Sequence, residues 1–269
     1  MKKILILPDI HGRDFWIKPC SHPEEFDEII FLGDYLDPYS FEGITAETAY
    51  NNFLEILDFA KSTNNVTMLI GNHDWHYFVY LDSCRIDKAR EKDIEKLFLE
   101  NLNLFKLTKV IELDNCKYLF SHAGITKKWL DDISNMANYE VDHWEFGDVN
   151  PENDKEFQWV KKISKINRTY DFELFEECLL NYDNNFYNCL PSMISSSRGG
   201  YYPNGSMIWS DVREHFFSDD LKGYYQIFAH TNTYPKYEPI IPDGRNWAML
   251  DASKAFILDN EGNIEPYGN

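Results

Sequence analysis

Short runs of mostly apolar residues recur along the chain, and each run ends in a polar or turn-forming cluster. The runs lie at 3–7, 28–32, 66–70, 117–121 and 225–229. Continuous apolar runs of this length are typical of strands that are buried on both faces of a sheet. The pattern therefore predicts five buried strands that are spread over most of the chain.

A helical pattern of apolar residues separates some of these strands. Thr45 is a suitable N-cap residue, and the apolar positions after it share one helical face: Ala49, Phe53, Ile56, Leu57 and Ala60. The same kind of spacing predicts a second helix through Ile94, Leu97, Phe98, Leu102 and Phe105. Strands that alternate with helices indicate an α/β fold, in which helices cover a largely parallel sheet.

The end and the middle of the chain follow other patterns. Two further strands are predicted at 247–250 and 255–258, and we expect them to pair antiparallel because no helical pattern separates them. Residues 125–205 carry many aromatic residues among charges, and we interpret them as a mostly helical insertion or cap over one rim of the sheet. No linker rich in Pro, Gly or Ser flanks this segment, so the length of 269 residues favours a single domain over 1–269.

The charge of the chain limits its partners. Lys and Arg total 26 and Asp and Glu total 45, which gives a formal net charge of −19. Such a surface repels nucleic-acid backbones and anionic membranes, so we expect neither as a stable partner. A phosphorylated substrate is compatible with this charge, because bound divalent cations can invert the local field. The oligomeric state is left open.

Cysteine usage and hydropathy indicate a cytoplasmic protein. The five cysteines include no CxxC pair, and their odd number and wide spacing are typical of free thiols in a reducing compartment. Too few apolar residues follow the basic start for a signal peptide. No run approaches the ~20 apolar residues of a membrane span.

Chemically active side chains follow each of the five predicted buried strands. These clusters are Asp9-x-His11, Gly33-Asp34-x-x-Asp37, Gly71-Asn72-His73-Asp74, His122 and His230-Thr231. Because ligands bind at the carboxyl ends of strands in open α/β sheets, we expect the clusters to converge. Mixed carboxylate, imidazole and amide ligands suit Mn, Fe or Zn better than Ca or Mg. Six such ligands exceed what one tetrahedral site needs and match two metals that share a carboxylate.

Taken in order, the five clusters resemble the motifs of the calcineurin-like metallophosphoesterase superfamily. Gly33-Asp34-Tyr35-Leu36-Asp37 and Ile208-Trp209-Ser210-Asp211 are most similar to its Ser/Thr protein phosphatase branch, which includes bacterial protein phosphatases and dinucleoside tetraphosphatases. The motifs span residues 9 to 231. The resemblance implies a sandwich of two mixed β-sheets flanked by helices, and a hydrolase of phosphate esters.

The resemblance also implies a role for each motif residue. Asp9 and His11 would hold the first of two divalent cations, and Asp34 would bridge both. The second cation would be held by Asn72, His122 and His230. Manganese is the expected metal, with iron and zinc as alternatives. A metal-bridging hydroxide would attack phosphorus in line, since coordination lowers the pKa of water.

Two further motif residues have roles beside the metals. His73 would protonate the leaving oxygen as a general acid. Asp37 would accept a hydrogen bond from His73, which fixes its tautomer and raises its pKa. Each residue alone has an ordinary structural interpretation, as a turn former, a helix cap or a buried histidine. The functional hypothesis depends on all five clusters together.

The chain departs from the family pattern at the residue that usually grips phosphate. The family's protein phosphatases place Arg and Gly after the second Asp, whereas Pro38 and Tyr39 stand here. Arg198, beside two glycines, is a candidate substitute because glycines let a guanidinium approach an anion closely. Arg213 is a second candidate.

Three functions are compatible with these residues. The leading hypothesis is a Ser/Thr-phosphatase-like phosphoesterase that acts on a phosphoprotein. The first alternative is a hydrolase of nucleotides or dinucleoside polyphosphates. An alternative of another class is a non-catalytic metal-binding scaffold, for which the missing Arg at Pro38 is the only support.

Overall fold

The computed structural model describes residues 2–79, 85–114, 116–146, 150–183, 190–198 and 200–268. Within these ranges the strands are β1 (Lys3–Leu7), β2 (Glu28–Phe31), β3 (Val66–Leu69), β4 (Phe105–Lys106), β5 (Thr108–Leu113), β6 (Cys116–Ser121), β7 (Tyr224–Phe228), β8 (Trp247–Met249), β9 (Phe256–Asp259) and β10 (Ile264–Pro266). The α-helices are α1 (Ala46–Ser62), α2 (Asn72–Val79), α3 (Glu91–Glu100), α4 (Lys127–Asp142), α5 (Lys155–Ile163), α6 (Ile166–Thr169), α7 (Leu174–Leu180) and α8 (Val212–Phe216).

The strands form two mixed sheets. The larger has the order β10-β9-β1-β2-β3-β4. Strands β1 to β4 are parallel, β9 is antiparallel to β1, and β10 is antiparallel to β9. The smaller has the order β5-β6-β7-β8, in which only the pair β5 and β6 is antiparallel. Helices flank this pair of sheets, so the predicted α/β sandwich is confirmed.

The apolar runs are continuous because both faces of their strands are buried. Ile4, Ile6 and Ile30 point into the layer between the two sheets, where they meet Phe120 and Ile227 of the smaller sheet. Their neighbours in the sequence, Leu5, Leu7, Ile29 and Phe31, point the other way. They join the helix-covered core with Phe53, Ile56 and Leu57 of α1. Successive side chains of a strand alternate between faces, so a strand that packs on both sides needs no polar positions.

Two predictions about local structure are wrong. The tail strands at 247–250 and 255–258 do not pair with each other: β8 extends the smaller sheet beside β7, and β9 lies antiparallel to β1 in the larger sheet. The predicted second helix ends at Glu100, and Phe105 instead begins β4 beside β3. In both cases the tertiary pairing partner, which local periodicity does not encode, decides the outcome.

Residues between β6 and β7 are largely helical where the structure describes them. Thr126 caps α4 by accepting a hydrogen bond from the backbone N–H of Trp129, and Asp154 caps α5 in the same way. The bounds 125–205 of an insertion, and the division of the chain into domains, stay an interpretation. No helix in the described part of the chain has the length and apolar character needed to cross a membrane.

Candidate metal centre

The five predicted clusters meet at one edge of the two sheets, where β1, β2, β3, β6 and β7 end. Backbone hydrogen bonds join the loops: His11 N–H donates to Asp34 O (2.7 Å), and Ala229 N–H donates to His122 O (2.7 Å). Four candidate site residues adopt positive φ angles although none is glycine: His11 (45°), Asp34 (53°), Asp37 (57°) and His230 (71°). Such conformations cost free energy and cluster at functional sites.

The first group of ligand atoms comes from Asp9, His11 and Asp34, whose atoms lie within 4.8 Å of one another. His11 Nε2 is 3.5 Å from Asp34 Oδ2 and 4.0 Å from Asp9 Oδ2. His11 Nδ1 lies 2.7 Å from the carbonyl oxygen of Leu36, which only accepts, so Nδ1 carries the proton. The lone pair on Nε2 therefore faces the two carboxylates, as a metal ligand requires.

The second group comes from Asp34, His122 and His230, again within 4.8 Å of one another. His122 Nδ1 donates to Leu32 O (2.8 Å), which leaves Nε2 facing Asp34 Oδ2 at 3.5 Å. The amide oxygen of Asn72 lies 3.1 Å from His122 Nε2 and 2.8 Å from His230 Nδ1. Asp34 belongs to both groups, so its carboxylate lies between the two candidate cation positions.

Burial shifts the pKa values of these groups, because it disfavours both charged carboxylates and charged imidazoles. Desolvation, followed by the repulsion of Asp251 and Asp34, raises the pKa of Asp9 well above its usual range, and desolvation also raises that of Asp34. Burial lowers the pKa of His122 to about 3, so its imidazole is neutral. Oδ2 of Asp9 is buried without a hydrogen-bond partner. A buried orphan oxygen among neutral imidazoles fits a divalent cation.

Asp74 holds the loops beneath these ligands. Its Oδ2 accepts from the backbone N–H of Asp34 (2.7 Å) and of Gly71 (2.8 Å), and its Oδ1 accepts from Tyr35 N–H (3.0 Å). Gly33 has φ +108°, and a Cβ there would lie 2.5 Å from Gly71 N. The second and third clusters, which follow β2 and β3, therefore approach closely only because glycine stands at this position.

His73 lies beside the metal-ligand groups, and hydrogen bonds to Asp34 and Asp37 hold it in place. Its backbone N–H donates to Asp34 Oδ1 (2.9 Å), and its Nδ1 donates to Asp37 Oδ2 (2.9 Å). The hydroxyl of Tyr77 donates to the other oxygen of Asp37 (2.7 Å). Desolvation lowers the pKa of His73, while the hydrogen bond to Asp37 acts to raise it and the charge of Arg85 lowers it further. The effect of Asp37 therefore has the predicted sign, and burial outweighs it.

Two residues of the site were missed by sequence reasoning. Arg85 donates from Nη2 to Nε2 of His73 (2.7 Å) and from Nη1 to the carbonyl oxygen of Asp37 (2.8 Å). It lies outside every motif, and no sequence signal indicates it. Asp251 follows β8 and is 1% exposed, and neither carboxylate oxygen accepts a hydrogen bond from an N–H or hydroxyl group of the described residues. Placing β8 in the parallel part of the smaller sheet would have shown Asp251 as an acid at a sixth strand end.

The two predicted substrate-binding arginines differ in position. Arg198 lies close enough to His230 for its charge to lower the pKa of that imidazole, and its Nη1 pairs with Glu214 (2.8 Å) and donates to Ser195 Oγ (3.2 Å). Arg213 is not brought into the group. Its side chain is 80% exposed, and its Nε contacts Asp211 at 3.2 Å.

The sequence profile of the calcineurin-like phosphoesterase family matches residues 2–234, which include all five clusters. The chain belongs to this family. It is therefore a hydrolase of phosphate esters, and its two ligand groups are candidates for metal binding. No curated protein matches the sequence.

Solved structures show a distant likeness. A cold-active protein tyrosine phosphatase is 15% identical over 99% of this chain and 78% of its own, with a TM-score of 0.48. The cold-active protein-tyrosine phosphatase of a psychrophile Shewanella sp. is 15% identical over 99% and 80%, with a TM-score of 0.43. A metallophosphoesterase from Sphaerobacter thermophilus is 14% identical over 47% and 48%, with a TM-score of 0.28. These scores lie below 0.5, so the family assignment depends on the sequence match.

Proposed function

We propose that this calcineurin-like phosphoesterase hydrolyses phosphate esters at a two-metal site centred on Asp34. The observation that carries the proposal is that the buried Asp34 carboxylate belongs to both groups of ligand atoms. Asp9 and His11 would hold the first cation, and Asn72, His122 and His230 the second. When bound, the two cations bind the phosphoryl oxygens and lower the pKa of a coordinated water. Manganese is the proposed metal, with iron or zinc as alternatives.

The protein's own groups would handle the leaving group. His73 is the proposed general acid, because its ring lies 5.3 Å from that of His11 while Nδ1 is occupied by Asp37. Asp37 positions the imidazole and stabilises its charged form during proton transfer. Arg198 is a proposed substrate contact on the side of His230, where its charge acts. Arg213 stays a prediction without support from its position.

Two substrate classes are proposed, a phosphoprotein and a nucleotide. The resemblance to the Ser/Thr phosphatase branch supports a phosphoprotein, and the aromatic rim of the site supports a substrate with a flat ring, such as a nucleotide. In that rim the Tyr39 ring lies 4.9 Å from His11, Phe41 lies 5.3 Å from Tyr39, and Tyr234 lies 5.1 Å from Phe41. Phe41 and Tyr234 are 57% and 61% exposed, so their faces are available for stacking.

One panel of substrates tests both the activity and the class. The manganese-loaded protein is assayed with p-nitrophenyl phosphate, a phosphoseryl peptide, a dinucleoside tetraphosphate and a cyclic nucleotide. Turnover that Asp34→Asn abolishes supports the two-metal site. A preference for the dinucleotide over the peptide would exclude the protein-phosphatase proposal. No turnover of any substrate at full metal occupancy would favour the non-catalytic scaffold.

A cytoplasmic location is proposed on the chemistry of the thiols. Cys20 and Cys116 are free thiols in the described part of the chain, and Cys84 and Cys189 lie outside it. Free thiols are typical of reducing compartments.

A further inference from the structure

Arg85 occupies the position that the proposed general acid needs for its reaction. Its guanidinium donates from Nη2 to Nε2 of His73 at 2.7 Å, and Nε2 is the atom that would protonate the leaving oxygen. Arginine has no acceptor atom and remains protonated in proteins. Nε2 therefore accepts this hydrogen bond, and the proton of His73 resides on Nδ1, toward Asp37. In this arrangement Nε2 of His73 carries no proton that it could give to a leaving group.

The described contacts of Arg85 are two hydrogen bonds to uncharged acceptors and one aromatic ring. Its Nη1 donates to the carbonyl oxygen of Asp37 (2.8 Å), and its guanidinium carbon lies 3.8 Å from the centre of the Tyr39 ring. Two of its five N–H donors are used by these hydrogen bonds, both with uncharged acceptors. A phosphate oxygen is a stronger acceptor than either, because charge-assisted hydrogen bonds are about twice as strong as neutral ones.

The chain also lacks the arginine that would otherwise face this position. Pro38 follows Asp37 and has no charge, and Arg198 is paired with Glu214 at 2.8 Å. Arg85 is next to His73 and stacks on Tyr39, whose ring contacts His11 of the first ligand group. Its guanidinium is a cation at the border of the metal centre, and no carboxylate of the described residues forms an ion pair with it.

We propose that Arg85 binds the phosphoryl group of the substrate and, in its absence, caps Nε2 of His73. The phosphoryl oxygens bind the guanidinium in place of the imidazole, and Nε2 then takes up a proton from solvent. His73 is protonated on both ring nitrogens until Nε2 gives its proton to the leaving oxygen and returns to the neutral form. The guanidinium stays in contact with the Tyr39 ring, both when it caps His73 and when it binds phosphate. This proposal rests on the proposed function, because it assigns His73 as the acid of the same site.

The phosphate-binding part is tested by titrating inorganic phosphate into manganese-loaded protein in a calorimeter. Arg85→Ala and Arg85→Lys are compared with wild type, and Arg168→Ala is the matched control because it removes the same charge from an exposed position that has no assigned role. Arg85→Ala is expected to weaken phosphate binding by about tenfold or more, and Arg85→Lys by less, since lysine keeps the charge but loses the planar fork. Binding of phosphate to Arg85→Ala within about twofold of wild type would overturn the assignment. Circular dichroism melts confirm that each variant is folded.

The capping part is tested by ¹⁵N NMR of zinc-loaded protein that carries labelled histidine. The His73 signals are assigned by their loss in His73→Asn. Inorganic phosphate is expected to shift the Nε2 signal of His73 in wild type, and Arg85→Ala without phosphate is expected to lack the shift that the Arg85 hydrogen bond causes. Identical Nε2 signals in wild type and Arg85→Ala would show that no cap exists.

The two measurements separate this proposal from the proposed function. Phosphate binding that depends on Arg85 in a protein without turnover would leave the Arg85 site standing and remove the catalytic assignment. Turnover and phosphate binding that are both unchanged in Arg85→Ala would remove the Arg85 site alone.

Discussion

Replacing Asp251 with Asn should stabilise the metal-free protein and weaken its hold on metal. Burial raises the pKa of the Asp251 carboxyl from 3.8 to about 6, and it outweighs the lowering by the charge of Arg13 and by contact with the Asp9 carboxyl. The folded chain therefore holds this proton more tightly than the unfolded chain does. The stability that this preference provides is present below pH 3.8 and is lost as the pH rises through about 6.

The size of the effect follows from the pKa difference. About two pKa units at ~1.4 kcal/mol each give a cost of up to about 3 kcal/mol for the charged Asp251 at pH 8. Asn removes the charge, and its amide can donate to the orphan Oδ2 of Asp9. The free energy of unfolding of EDTA-treated protein should then rise by about 1–3 kcal/mol at pH 8 and change little at pH 4. A second carboxylate beside Asp9 also strengthens cation binding, so manganese affinity should fall by roughly tenfold.

The assay is urea denaturation at pH 8 and pH 4, with and without manganese, followed by calorimetric titration of manganese. Asp243→Asn is the control, because Asp243 is exposed and the same change in charge should leave both quantities unaltered. A metal-free Asp251→Asn protein that is less stable than wild type at pH 8 would refute the reasoning. Manganese binding as tight as in wild type would refute the role assigned to Asp251.

Three other predictions concern the general acid His73, the buried imidazole of His215 and the close loop contact at Gly33. His73→Asn should lower the rate by ~10²–10⁴ for a poor leaving group and less for p-nitrophenol, with unchanged metal content by elemental analysis; lost metal would contradict the role of His73. Burial lowers the pKa of His215 to about 4, so the stability from its neutral form is present above pH 6.5 and lost as the pH falls through about 4. His215→Phe should therefore reduce the loss of unfolding free energy between pH 7.5 and pH 4.5 by up to about 3 kcal/mol, and an equal loss in both proteins would argue against it. Gly33→Ala should lower Tm and metal content together, since its Cβ would lie 2.5 Å from Gly71 N; a variant with normal metal content would contradict the close approach.

The sequence predicted the parts of the fold that depend on local pattern. Strands β1, β2 and β3 are apolar on both faces, so their runs are visible without knowledge of their neighbours. The candidate ligands follow strand ends, and the sheet topology that brings strand ends together is a general property of parallel sheets. The pairing of β9 with β1 joins residues from opposite ends of the chain, and no local periodicity encodes such a partner.

The candidate site was predictable only where a motif carries its residues. Asp34, Asn72 and His122 stand in short motifs next to strands, whereas Arg85 reaches His73 from outside any motif. Its role depends on the side-chain geometry around Tyr39, which a sequence does not show. Arg213 is a candidate substrate contact only by its place beside a motif, and its side chain is exposed to solvent.

The central claim is that two cations share the carboxylate of Asp34, and anomalous diffraction from crystals soaked in manganese tests it directly. The account predicts two anomalous peaks about 3.5–4 Å apart, one beside Asp9 and His11 and the other beside Asn72, His122 and His230, with Asp34 between them. A single peak, or two peaks that do not both contact Asp34, would contradict it.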